Sequence, residues 1–410
     1  MNIAVIGGGI AGLVAAWRLS QRHAVTLFER HAAPGFTASS VAVDGQRVDV
    51  PLRVFYPGYY PTLTRLYAEL SIATQPVDYA TTFTTGDGSP YFRWRNLRLR
   101  GWSWPFVLPR DVSGARARRI VAGAVRFNSR ARAALATGAL SNASIGDFVA
   151  AEGIAPDFVD GLLLPAIATI GTCTTADARA YPAAVVAAYA GAGLSRQSVH
   201  RARHGADAVA QRLLKDIAQV VCSAGVDGVL RLPGGVMLRH RGGVETFDHV
   251  VFATQANQAL ALLDDATAAE RAVLGVFRYR PLDVVMHRDE RLMPARRADW
   301  SPVNAVVEPS FERPQSTIWI NRVQASMRDA APLFQTVMPQ AQPRDELVLG
   351  RARFERPLVD ANTEGAITAL QRLHAERGRR AWLCGSYAMP GVPLLESAVR
   401  SALAVADSIA

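Results

Sequence analysis

Ile3-Ala4-Val5-Ile6-Gly7-Gly8-Gly9-Ile10-Ala11-Gly12-Leu13-Val14-Ala15-Ala16-Trp17-Arg18-Leu19 decides how the rest of the chain is read. Four apolar residues in succession suit a parallel strand buried on both faces. The glycines at 7, 9 and 12 then fit G-x-G-x-x-G, and the small apolar run after them continues as a helix. Val25-Thr26-Leu27-Phe28 forms a second strand, and it ends on an acid, Glu29.

Each part has a task in holding a dinucleotide. Gly7 permits the tight turn, Gly9 lets a pyrophosphate approach the backbone, and Gly12 lets the helix sit close to the strand. The helix start at Ile10 and Ala11 offers unpaired N–H groups and the positive end of the dipole. Glu29 accepts from ribose hydroxyls and repels a 2′-phosphate, and Arg30 follows it. Gly7, Gly9, Ile10, Ala11, Gly12, Glu29 and Arg30 are therefore candidate cofactor-binding residues.

Outward from this unit the pattern changes. A simple NAD dehydrogenase continues with regular β-α units, whereas Val41-Ala42-Val43-Asp44-Gly45-Gln46-Arg47-Val48 reads as a hairpin around an Asp-Gly turn. No second G-x-G-x-x-G follows, so the chain has no evident site for NADPH. A cofactor held here is expected to be reduced by the substrate itself.

Together these segments resemble the FAD-dependent amine oxidase and phytoene desaturase-like superfamily, closest to bacterial predicted NAD/FAD-binding oxidoreductases. The resemblance rests on Val5 to Leu13 with Glu29, on Val48-Asp49 with Tyr59-Tyr60-Pro61, and on Phe247 to Thr254. It extends to Trp382-Leu383-Cys384-Gly385-Ser386-Tyr387 with Leu395 to Ala402 at the carboxyl end. It departs from the family at Phe36, Pro51 and Ser386. It implies an α/β chain with a Rossmann-like FAD-binding domain of glutathione-reductase type, interleaved with an α+β substrate domain. Residues 1–50, 205–270 and 375–410 are expected to bind FAD, and 51–204, read as largely helical, with 271–374 to form the substrate domain. Arg53, Val221, Ala253, Gly385, Ser386, Leu395 and Glu396 join the candidate cofactor contacts on the same ground.

Composition excludes other classes. The 410 residues are 50% apolar and 20% charged, with 32 Gly and 23 Pro, as in a globular chain long enough for two domains. No run of about 18 apolar residues is available to span a membrane, and Met1-Asn2-Ile3 enters a strand with no basic leader. A cytoplasmic location is the expectation. Three distant cysteines, Cys173, Cys222 and Cys384, suggest neither a disulfide framework nor a metal site. The net charge of +10 rests almost wholly on arginine, since Lys215 is the only lysine. With no nucleic-acid motif, that charge reads as solvated surface, so no nucleic-acid partner is expected. The Arg- and Trp-rich segment 91–119 is a candidate substrate entrance or peripheral membrane contact. An apolar small molecule is the expected substrate.

The chemistry needs few protein groups, because a flavin carries the difficult step and the protein positions the substrate and excludes water. Family amine oxidases place a lysine near the flavin; here Lys215 reads as surface, on the polar face of the helix over 205–217. The catalytic candidates are Tyr387 after the closing glycine, Trp319 and Asn321 as alternate residues of one strand, and His287 at the end of another. Amine oxidation is the favoured reaction. Lipid or secondary-metabolite desaturation or isomerisation, and a non-catalytic flavin-binding protein, stand as alternatives.

Overall fold

The computed structural model describes residues 1–99, 102–140, 143–192, 198–308 and 312–409. Arg100 and Gly101 of the Arg- and Trp-rich segment therefore lie outside the described residues, as do 193–197.

Five strands form a parallel sheet in the order Gln219–Val221, Ala24–Phe28, Asn2–Ile6, His249–Phe252, Ala381–Leu383. Their short, apolar, β-branched sequences suit a sheet covered on both faces. One face packs on the helices Ile10–Ser20 and Leu395–Ser408 through Leu13, Val14, Val399 and Ala402. The other packs through Phe28, Val250 and Phe252 on the three-stranded antiparallel sheet of residues 226–247 and on the helix Thr363–His374.

A second, seven-stranded mixed sheet runs Val348–Pro357, Tyr279–His287, Phe334–Val337, Gln315–Trp319, Val303–Val306, Thr81–Thr84, Pro90–Arg93. It draws strands from both halves of the expected substrate domain. Beside it lies a helical layer whose longest member is Ala115–Thr137, built on Phe127, Phe148 and Phe158. The architecture is thus a Rossmann-like unit interleaved with an α+β unit.

Three sequence expectations change. Segment 51–204 holds five strands between Thr74 and Phe106 besides its helices, because Thr- and aromatic-rich stretches such as Thr81-Thr82-Phe83-Thr84 favour a pleated surface. The helix Thr363–His374 buries Ala366, Ile367, Leu370 and Leu373 against the nucleotide-side sheet, so it packs with that unit rather than with the substrate strands. Strand Gln315–Trp319 stops before Asn321, which lies in the helical turn Ile320–Val323. Asn321 Nδ2 donates to the carbonyls of Met327, Ala330 and Ala331, and its Oδ1 accepts from Leu333 N. A side chain that satisfies this much loop backbone pulls its own residue out of the ladder.

The two units are tied by buried polar contacts. Asp49 Oδ2 accepts from Arg201 Nη2 at 3.1 Å, and Asp49 Oδ1 from Ala206 N at 3.0 Å, at the start of the helix Gly205–Leu214. Gln335 bridges the same crossing, donating to Asp49 O and accepting from Leu52 N.

Candidate functional site

The glycine loop lies at the carboxyl end of the first strand. Gly7 adopts φ +104, in the region that favours glycine. A methyl on Gly12 would run into the Gly7 carbonyl, while one on Gly9 would meet nothing within 4 Å. The helix Ile10–Ser20 has no side-chain cap at Gly9, so the first N–H groups face the open space in front of that residue. Close packing behind the loop and room before it fit a pyrophosphate.

Glu29 organises the neighbouring wall. Its Oε2 accepts from Gly8 N at 2.7 Å and Gly35 N at 3.1 Å, and its Oε1 from His31 N at 2.9 Å. A methyl on Gly8 or Gly35 would come within 2.9 Å of that carboxylate. Both glycines are thus needed by the acid, and one carboxylate lone-pair direction remains for a ribose hydroxyl. Val221 holds the acid's backbone, accepting from Glu29 N at 2.9 Å. Ala253 pairs with Ile6 and packs against Gly7 and Gly12. Arg30 is exposed and its Nε bonds only to the adjacent His31 ring.

Arg53 stacks over the Phe36 ring at 4.2 Å and donates to the carbonyls of Pro51 and Phe36. Burial lowers its pKa, partly opposed by Asp49. At the carboxyl end, Gly385 N donates to Ser401 Oγ at 2.9 Å, and Ser386 begins a short turn. The helix Leu395–Ser408 has no side-chain cap, so its first N–H groups form a second donor set. Glu396 does not join it. Its carboxylate turns to the helix Pro61–Glu69 and accepts from Thr62 N and Leu63 N.

The expected catalytic residues are dispersed. Tyr387 is buried in the core, its ring 4.9 Å from Phe277 and its hydroxyl without a partner among the described residues. Trp319 packs on Trp300 and donates from Nε1 to Asn321 Oδ1, so the two do touch, though as parts of a loop anchor. His287 is fully buried. Its Nδ1 accepts from Asp289 N, leaving the proton on Nε2 to be shared with Thr336 Oγ1 at 2.7 Å. Burial pushes its pKa down to about 4, and with both nitrogens engaged it serves structure rather than base catalysis. Lys215 is exposed at the end of Gly205–Leu214. Cys384 is a buried thiol pushed up to about 12.

A group that sequence reading missed gathers beside the closing turn. Tyr59 packs edge-to-face on Tyr189 at 4.6 Å, and Tyr56 and Tyr60 complete the contact. Tyr59 Oη accepts from Val392 N at 2.8 Å, which binds the cluster to the turn before Leu395. Tyr56 Oη donates to the Tyr189 carbonyl. Arg356 reaches the same turn, donating to the Pro393 carbonyl. Tyr56-Pro57-Gly58-Tyr59-Tyr60 was the visible signal, but Tyr189 and Arg356 are remote in sequence. The surface hollow around Leu370, His374, Met389 and Val405 bears none of these groups. Among the described residues no cluster of metal ligands is present, and no helix is long and apolar enough to cross a membrane.

Residues 5–70 match the family described as NAD(P)-binding Rossmann-like domain. A comparison with curated protein sequences finds no match. Solved structures align over nearly the whole chain. The CLA-producing fatty acid isomerase from P. acnes is 16% identical, with a TM-score of 0.70, covering 100% of this chain and 98% of its own. Putrescine oxidase bound to putrescine is 13% identical, with a TM-score of 0.65, at 100% and 99%. Cyclohexylamine oxidase from Brevibacterium oxydans IH-35A is 13% identical, with a TM-score of 0.66, at 99% and 98%. The chain thus shares its overall fold with this isomerase and these two oxidases, and carries a Rossmann-like unit at its amino end.

Proposed function

We propose that the protein is an FAD-dependent oxidoreductase that takes a hydride from an apolar small molecule. The observation that carries this reading is the spatial sequence of donors. The glycine loop and Glu29 provide for a pyrophosphate and ribose. Arg53 and the uncapped helix start at Leu395 provide further donors, and the tyrosine cluster adjoins that helix start. The superfamily fold and the lack of a second dinucleotide motif support FAD over NAD(P). Gly7, Gly9, Ile10, Ala11, Gly12, Glu29, Gly385, Ser386 and Leu395 are the residues proposed to hold it. Val221 and Ala253 position the loop and the acid.

Bound FAD supplies a two-electron acceptor. The protein's own contribution is orientation and exclusion of water: Tyr59 and Tyr189, partly accessible, present apolar ring surface, with Tyr56 and Tyr60 packed behind them in the core. Burial raises the pKa of all four phenols, so they stay protonated and act as walls and hydrogen-bond donors rather than bases. Among the described residues no lysine or carboxylate is hydrogen-bonded to this cluster, although Glu396 lies near enough to help raise the Tyr59 pKa. The nearby carboxylate of Glu396 is already engaged by Thr62 N and Leu63 N, which favours, beside oxidation of a neutral amine, a second reading: desaturation or isomerisation of a C–C unit.

Purified protein is expected to be yellow with a flavin spectrum. Anaerobic bleaching by a panel of amines, compared with unsaturated lipids, separates the two reactions. Colourless protein that FAD cannot reconstitute would sink the cofactor reading, and a flavin that no substrate bleaches would point to a non-catalytic flavoprotein.

A further inference from the structure

The tyrosine cluster adjoins an unbalanced charge. Arg356 closes the strand Val348–Pro357, with Nε donating to Thr172 Oγ1 at 3.2 Å and Nη2 to the Pro393 carbonyl at 3.1 Å. Neither partner is charged, and Nη1 has no acceptor among the described residues. The ionisable groups that face it are Tyr181, Tyr60 and Cys173. Burial pushes both phenols upward and the thiol to about 12, so all three are neutral at pH 7.

A second guanidinium adds to the imbalance. Arg53 lies near enough to Arg356 for the two to repel. The acid that faces Arg53, Asp49, already accepts from Arg201 and from Ala206 N. Arginine does not escape by deprotonating, and a cation withdrawn from water without a counter-ion is costly unless an anion joins it. Both side chains keep some accessible surface while desolvation lowers both pKa values.

Two further features converge on Arg356. Tyr181 is 1% exposed and its hydroxyl has no partner among the described residues. Thr172 holds φ +52, a backbone region rare for a β-branched residue, and its hydroxyl is the one that Arg356 Nε meets. With Nε and one Nη2 hydrogen engaged, donors on Nη1 and Nη2 remain, the planar fork that pairs two oxygens of a carboxylate.

We propose that Arg356 seats the carboxylate of the substrate, assisted by the field of Arg53 and the free hydroxyl of Tyr181, and that the substrate class is an apolar carboxylic acid whose body lies against the tyrosines. This rests on the reading of the tyrosine cluster as a substrate wall and narrows it. Cationic amines are disfavoured by the same charges.

The test titrates the FAD-loaded enzyme with dodecanoate, methyl dodecanoate and dodecylammonium, reading the flavin absorbance shift and tyrosine fluorescence. The acid is expected to bind at least tenfold more tightly than the ester, and the ammonium most weakly. Arg356→Gln removes the preference with FAD content unchanged, and Arg356→Lys, which guards against a folding defect, retains part of it. Equal binding of acid and ester, or a preference that survives Arg356→Gln, overturns the proposal. Loss of FAD from the Arg356→Gln protein would assign the charge to the cofactor and also overturns it, as would full displacement of dodecanoate by equimolar inorganic phosphate. Colourless protein defeats the cofactor reading separately, because the fluorescence titration still decides whether the acid is preferred.

Discussion

Gly9 and Gly12 belong to one motif and face opposite surroundings. Gly9→Ala places its methyl in open space at an ordinary φ of −68, so thermal stability should hold while FAD affinity falls at least tenfold. Gly12→Ala drives its methyl into the Gly7 carbonyl and should cost about 1–3 kcal/mol or more, as overpacked sites do. Melting curves of the two apoproteins, followed by FAD titration, check both outcomes. His287 makes a pH prediction. Its folded pKa of about 4 lies below the ordinary 6.5, so between those values the unfolded chain binds the proton more readily. Stability from its neutral form is complete above pH 6.5 and is lost as pH falls toward 4, by at most about 3 kcal/mol. His374, also pushed to about 4 by burial, acts in the same direction. His287→Gln should flatten part of that acid dependence in urea titrations at pH 4.5 and 7; an unchanged slope would contradict it.

Among elements, the helix Pro61–Glu69 depends on a residue more than 300 positions away. Glu396 accepts from Thr62 N and Leu63 N, a carboxylate placed at the positive end of another helix. Glu396→Gln should therefore lower stability by about 1 kcal/mol, the usual weight of an N-terminal cap, with FAD content retained. Loss of flavin at unchanged stability would restore Glu396 to the cofactor site. The local sequence around Leu395 predicts the helix correctly, but it carries no sign of which helix the acid serves. Strand 317–321 failed for a related reason. Alternation foresaw the strand as far as Trp319, while Asn321 bonds to carbonyls in a loop that lies after it.

Across the whole molecule, the interleaved units depend on one buried crossing. Asp49, Arg201 and Gln335 come from three separate parts of the chain, and Arg201 Nε and Nη1 already lack partners among the described residues. Asp49→Ala would leave that guanidinium unpaired and should cost about 3–5 kcal/mol, measured by equilibrium unfolding. Lys215→Met, by contrast, alters an exposed side chain and should leave both stability and flavin reduction unchanged.

The nucleotide loop was legible in the amino acids because it is local. Within the first 35 residues, strand, glycines, helix and Glu29 follow one another, and each acts through backbone geometry that neighbouring residues determine. Even the partner of Glu29, Gly35, lies six positions on. Only the tertiary structure decided the rest of the site. Tyr59 meets Tyr189 across 130 residues, and Arg356 meets Pro393 and Tyr181, because tertiary packing brings a turn, two helices and a strand together, and no local periodicity records such meetings. The same folding that brings Arg356 to the tyrosines partly withdraws it from water with no described counter-ion, so its chemistry is a property of the packed molecule and not of the segment that carries it.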